Sequence, residues 1–345
     1  MAVRAALILA GAAAKGPYAA GVLSQLAKDD RAEILAIAGA SSGAINGAVY
    51  AAGLRVDKAG EAAELLEQLW VADASWHRIL SFKQRKQTLL EALRRFRDFE
   101  RRQPVRFRVV VASLPGEIVA GRRLFEKSET FHAKDFEDDA RLEHMAEICL
   151  ASAAIPVIFA PRRVAGEGPF WDGGIVNDAP IGWALKDTSI DHIIVVTPDS
   201  NVSKPQHYHR FSISRLVDML LNERLNRDLH EAESFNAELA RLDATLDAFE
   251  AQLGAAGFRE RLATQVRREL SWRTLSFLEI RPSKDLDGNL LDGFFSERLR
   301  QRYVQVGRDA AEQKLAGWAP QTLEPQVTES GFPSASGEVP ERALA

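Results

Sequence analysis

Cysteine is almost absent. Cys149 is the only one in 345 residues, so no disulfide can close within the chain and a thiolate-built zinc centre is not expected. It sits in an apolar helical run and reads as a small core residue rather than a nucleophile. Long hydrophobic runs are missing as well, and no stretch approaches the length of a membrane span. The apolar run within Met1 to Gly11 is short and has one basic residue, and a strand–loop–helix pattern follows it, so it reads as a first strand rather than a leader. There is no excess of positive charge. The formal net charge of −4 argues against a general nucleic-acid binder. Metal ligands are not clustered, and no metal or cofactor is expected. The expected compartment is the cytoplasm or a membrane surface facing it.

One stretch organises what is present. Glu33 to Ala38 is short and mostly apolar and ends at a glycine, as a buried parallel strand does. Ser42 to Ala52 carries small and apolar residues at helical spacing, and Gly53 reads as the helix stop. Between them lies Gly39-x-Ser41-x-Gly43, the spacing of a nucleophile elbow, in which a serine sits on a strained strand-to-helix turn. Gly39 and Gly43 let neighbouring backbone pass close to that turn. The helix N-terminus behind Ser41 favours developing negative charge.

A second strand–loop–helix precedes it: Ala5 to Ala10 as strand, Gly11-Ala12-Ala13-Ala14-Lys15-Gly16 as loop, and Pro17 to Leu26 as helix. The loop lacks the Gly-Lys-Ser/Thr ending of a nucleotide P-loop and the G-x-G-x-x-G spacing. Its small residues instead suit an oxyanion loop, with backbone N–H groups facing an anion. The resulting βαβα order predicts an α/β fold with a mostly parallel central sheet flanked by helices. Both loops then share one sheet edge, where ligands bind in open α/β folds.

Further along, Asp57 to Val71 reads as an amphipathic helix. Residues 76–108 carry eleven Lys and Arg against Glu91, Asp98 and Glu100, interleaved with aromatics. That composition fits an anionic membrane surface or a solvated helix face over the core. Arg106 to Ala112 is a strand, with a turn at Pro115-Gly116 and another strand from Glu117 to Ala120. His144 to Ala154 is an apolar helix. Asp172-Gly173-Gly174 is a turn that lets a chain segment or ligand approach Asp172 closely. His192 to Thr197 and Leu275 to Arg281 are strands, and Arg298 to Ala316 is a closing helix. The division expected is a catalytic core over 1–200, a helical extension with a final strand over 201–316, and a disordered tail over 317–345.

Taken together, these motifs resemble the patatin-like phospholipase family. They are Gly11 to Gly16 with Ala20-Gly21-Val22-Leu23, Gly39-x-Ser41-x-Gly43-Ala44-Ile45-Asn46, and Asp172-Gly173-Gly174 leading to Asn177, Ala179 and Pro180. Ala151-Ser152-Ala153-Ala154-Ile155-Pro156 resembles the segment before the family's aspartate. The resemblance covers residues 5 to 200 closely and 210 to 316 loosely. It implies a three-layer fold and a Ser–Asp dyad, with Ser41 as nucleophile and Asp172 as its base. The Gly11–Gly16 loop would supply oxyanion donors, and Gly39, Gly43, Gly173 and Gly174 would support the two turns. The implied activity is hydrolysis of phospholipid or lysophospholipid acyl esters without a cofactor.

One departure stands out. The family pattern Gly-Gly-Gly-x-Lys/Arg-Gly has alanine here at Ala12 and Ala13. If either position needs φ > 0, alanine costs about 1–2 kcal/mol there. Two alternatives follow from the sequence. One is a catalytically impaired lipid- or membrane-binding module. The other is an α/β-hydrolase esterase using His192, His207 or His209 as a third member, although Ser41 comes early for that fold. Acyl position, headgroup, an activating partner and homodimerisation are not readable.

Overall fold

The computed structural model describes residues 2–156, 158–185, 187, 189–200, 275–320 and isolated positions between 230 and 248. Its centre is an eight-stranded sheet. The strands are β1 (Val3–Leu9), β2 (Ala32–Gly39), β3 (Arg106–Val119), β4 (Arg122–His132), β5 (Arg162–Val164), β6 (Glu167–Trp171), β7 (His192–Val196) and β8 (Ser276–Ile280). Their order is β5-β6-β3-β2-β1-β7-β8, with β4 paired to β3 off that path. The run β3-β2-β1-β7-β8 is parallel; β4, β5 and β6 add antiparallel edges. Strands covered on both faces read as continuous apolar runs, and Arg4 apart, β1 and β7 are buried throughout.

Alternation along the strands sorts the core into two layers. Ala5, Leu7, Leu9 and Ile37 face one large cluster shared with α1 (Pro17–Leu26), α2 (Ser42–Leu54), α3 (Ala59–Gln68) and α6 (Asp139–Ser152). Ala6, Ile8, Ala36 and Ala38 face a smaller cluster with Ala179, Ile181 and Ala184. Three layers result, helix on sheet on helix. The last described helix, Glu297–Ala316, crosses α1 where two glycines meet backbone: a methyl on Gly21 would overlap the Val304 carbonyl, and one on Gly307 the Tyr18 carbonyl.

Helix α1 begins and ends where the sequence puts it. Three expectations need correction. Helix α2 runs through Gly53 to Leu54; Gly53 is there because a Cβ would strike Ala62, so it is a packing glycine and not a stop. Pro115-Gly116 is not the hairpin turn. Gly116, at φ +67°, lies where β3 shifts register against β4, and β3 continues to Val119. The turn is Ala120-Gly121, both at positive φ (48° and 75°), as a two-residue primed turn requires. Finally, Trp318 is docked rather than tail: its carbonyl accepts from Arg31, and its ring packs edge-on to His192. Residues 321–345 and most of the helical region after Pro198 lie outside the described residues.

The basic segment is largely neutralised by carboxylates. Lys86 pairs with Glu143 at 2.5 Å and Glu147 at 2.7 Å, Arg94 and Arg97 share Asp139, and Arg106 meets Asp187 at 2.6 Å. Three of those carboxylates, Asp139, Glu143 and Glu147, come from α6, against which α5 (Phe82–Arg94) packs.

Candidate active site

Register brings the site together. Strand β2 ends at Gly39, opposite Leu9 of β1 and Val109 of β3. Further along β3, Ala112 pairs with Trp171 of the antiparallel β6, so the next residue, Asp172, arrives where β2 ends. Ser41 sits at φ 53°, ψ −128°, a strained conformation for a residue with a side chain. A Cβ on Gly39 would meet Gly43 backbone at 2.6 Å, and one on Gly43 would overlap the Leu9 carbonyl. The G-x-S-x-G spacing is therefore a packing requirement of this turn.

The Ser41 hydroxyl donates to Asp172 Oδ2 at 2.8 Å, and Gly174 N–H donates to Oδ1 at 2.9 Å. Both side chains are buried. Burial pushes the Asp172 carboxyl up to about 7, with the two hydrogen bonds pulling the other way. Gly173 must lack a side chain because a Cβ would overlap the Val110 carbonyl.

Ser152 joins three elements here. Its hydroxyl donates to Val110 O at 2.6 Å and accepts from Ser41 N–H at 2.9 Å, fixing the elbow to β3 and to the end of α6. The sequence reading quoted Ser152 without giving it this task, since nothing local shows that it meets residue 41.

The Gly11–Gly16 loop lies beside Ser41, held at both ends. Gly11 N–H donates to Asp178 Oδ1 at 2.9 Å, and Ala12 N–H to Ser42 Oγ at 2.9 Å. Asn46 donates to Gly16 O at 3.0 Å and accepts from the Trp70 indole at 2.6 Å. Ala14 N–H reaches Leu290 O at 3.2 Å, and Lys15 and Gly16 N–H close the 3-10 turn over Ala13–Lys15 onto Ala12 O and Ala13 O. Five of the six N–H groups therefore point into protein. Ala13 N–H has no such partner among the described residues. Ala13 adopts φ +45°, whereas Ala12 lies at −150°, so only Ala13 occupies glycine-favouring space.

Asp178 is fully buried. Its Oδ2 has no hydrogen-bond partner among the described residues, and burial, with Asp199 and Asp172 nearby, pushes its carboxyl well above the usual range. No role was read for it from sequence.

A cavity of about 360 Å³ opens from Ser41 and Ala13 between α2, α3 and α5. Its walls include Ile45, Leu66, Trp70, Leu89, Phe159 and Phe294. Phe294 comes from the chain beyond residue 275, so that region completes the site. His192 is not near it. It starts β7 opposite Ala5, four residues before the edge where Leu9 and Gly39 end, a displacement of about 13 Å. His207 and His209 lie outside the described residues.

An elbow serine bonded to a buried carboxylate lies at the edge of a three-layer α/β sheet. The model of the patatin-like phospholipase family matches residues 7–185, and the chain belongs to that family. The family places the chain among lipid hydrolases in general. The fold also resembles the crystal structure of VipD from Legionella pneumophila, with a TM-score of 0.41 and 15% identity over 91% of this chain and 67% of that one.

Proposed function

We propose that the protein is a lipid acyl hydrolase of phospholipase A or lysophospholipase type, acting through an acyl-Ser41 intermediate with Asp172 as the base. The observation that carries this reading is the direct 2.8 Å Ser41–Asp172 hydrogen bond at the mouth of an apolar cavity. With one carboxylate oxygen on Ser41 and the other on Gly174 N–H, the pair needs no intervening imidazole.

The ester enters with its acyl chain along the apolar walls. Asp172 takes the hydroxyl proton as Ser41 Oγ attacks the carbonyl carbon, and its poise near 7 lets it accept that proton at neutral pH. The tetrahedral oxyanion faces the Ala13 N–H and the first turn of α2. Each preorganised donor is worth about 2.7–4 kcal/mol. Collapse expels the lysolipid or glycerol alkoxide, which leaves with the Asp172 proton. Water, deprotonated by Asp172, then releases the fatty acid and restores Ser41.

The alanine-substituted loop supports a second reading, a lipid-binding module with impaired chemistry. The hydrogen bonds that hold the loop favour activity, because an N–H donor needs no particular side chain. Fatty-acid release from 1-acyl lysophospholipid separates the two. Wild type releases acid, and Ser41→Ala and Asp172→Asn lose at least about a hundredfold. Lipid binding without release in wild type overturns the hydrolase reading.

A further inference from the structure

Beside the cavity, the guanidinium groups of Arg85 and Arg162 lie against the rings of Phe159 and Phe82. The Arg85 guanidinium carbon lies 4.5 Å from the Phe159 centroid and 5.9 Å from that of Phe82, and that of Arg162 lies 4.1 Å over Phe82. Rings cover the flat faces of a guanidinium and leave its N–H edges for an acceptor. Among the described residues, the Nε of Arg85 and the Nε of Arg162 are buried with no hydrogen-bond partner. Neither side chain makes an ion pair among the described residues, whereas Lys86, Arg94 and Arg97 each meet a carboxylate. The carboxylates lining the cavity are engaged elsewhere: Asp73 pairs with Arg78, and exposed Glu91 accepts from Gln87. Burial, and then the charge of Arg162, push Arg85 down to about 10, so it is charged at neutral pH.

Two neighbouring cations with buried donors and no anion are unfavourable by themselves, and a bound oxyanion satisfies both. Arg85 and Phe159 line the same cavity as Ser41. We propose that Arg85 and Arg162 form a phosphate-binding subsite, which holds the headgroup phosphate of a lipid whose acyl ester lies at Ser41. A guanidinium edge presents two parallel N–H groups to two phosphate oxygens, and partly dry walls strengthen that contact. The subsite makes phospholipids better ligands than neutral acylglycerols of equal chain length. The proposal rests on the hydrolase reading only where turnover is measured.

The decisive test is binding by the full chain carrying Ser41→Ala, so that nothing is hydrolysed. Calorimetric titration compares dihexanoyl phosphatidylglycerol with dihexanoylglycerol, with and without Arg85→Gln or Arg162→Gln. Phosphatidylglycerol binding should weaken about tenfold or more with either change while dihexanoylglycerol stays within about twofold. Each change also removes a ring contact, so thermal midpoints are read alongside to show that the variants still fold. Equal weakening of both ligands, or none, overturns the proposal. Sodium phosphate that competes with phosphatidylglycerol in an Arg85-dependent way supports a subsite open to free phosphate as well. Failure to compete, with the lipid still Arg85-dependent, supports headgroup phosphate alone. In the Ser41 protein, the ratio of kcat/KM for lysophosphatidylglycerol to that for monoacylglycerol should fall by a similar factor in Arg85→Gln. Absence of any turnover would count against the hydrolase reading, and the binding result would still decide the subsite.

Discussion

Gly11 N–H donates to Oδ1 of buried Asp178 at 2.9 Å, tying the loop after β1 to the turn that follows Asp172. A side chain at residue 11 would overlap that oxygen and crowd Ser41. The pair spans two segments that carry the proposed oxyanion donor and the proposed base, so each fixes the other's position.

Asp178 should tolerate asparagine and not alanine. Asn keeps the acceptor for Gly11 N–H, whereas Asp178→Ala leaves it buried and unmet at a cost of about 1–3 kcal/mol. Because the folded carboxyl titrates well above its unfolded value, the penalty for ionising it is absent below about pH 4 and grows as pH rises. Asp178→Asn should therefore match wild type near pH 4 and exceed it at pH 8. Urea midpoints at both pH values test this, and a constant difference between them contradicts it.

Ala12 and Ala13 should respond oppositely to glycine. Ala13→Gly relieves the strain at φ +45° and should stabilise by about 1 kcal/mol. Ala12→Gly, at φ −150°, only adds unfolded-state freedom and should destabilise by about 0.5 kcal/mol. Denaturation of the two single variants decides it, and equal shifts would mean that the loop is not shaped by residue 13.

Activity should rise through pH 7. Asp172 must be ionised to take the serine proton, and burial holds it near 7. The acid limb of kcat/KM should be half-maximal about there and fall about tenfold per unit below. The same shift works against stability: protons are held more tightly folded than unfolded between about pH 4 and 7, so stability declines across that window. Asp172→Asn should remove both features. An acid limb centred near pH 4 contradicts the account.

The elements that carry the site were legible where local pattern dictates them. Continuous apolar strands, Pro17 at a helix start and the small residues around Ser41 each act over a few neighbours, and β1, β2, α1 and α2 lie close to their expected places. Gly53 and Pro115-Gly116 misled because glycine serves packing and bulges as well as ends. Ser152, Asp178 and the Arg85–Arg162 stack were invisible because each links elements that are distant in sequence. The charge of 76–108 was legible, but its partners on α6 were not.

The most direct test of the central claim is intact mass after exposure to an active-site fluorophosphonate, on the wild-type chain and on Ser41→Ala. One covalent adduct on wild type and none on Ser41→Ala is the predicted result. An unlabelled wild type, or an adduct that survives loss of the Ser41 hydroxyl, would contradict Ser41 as the activated nucleophile.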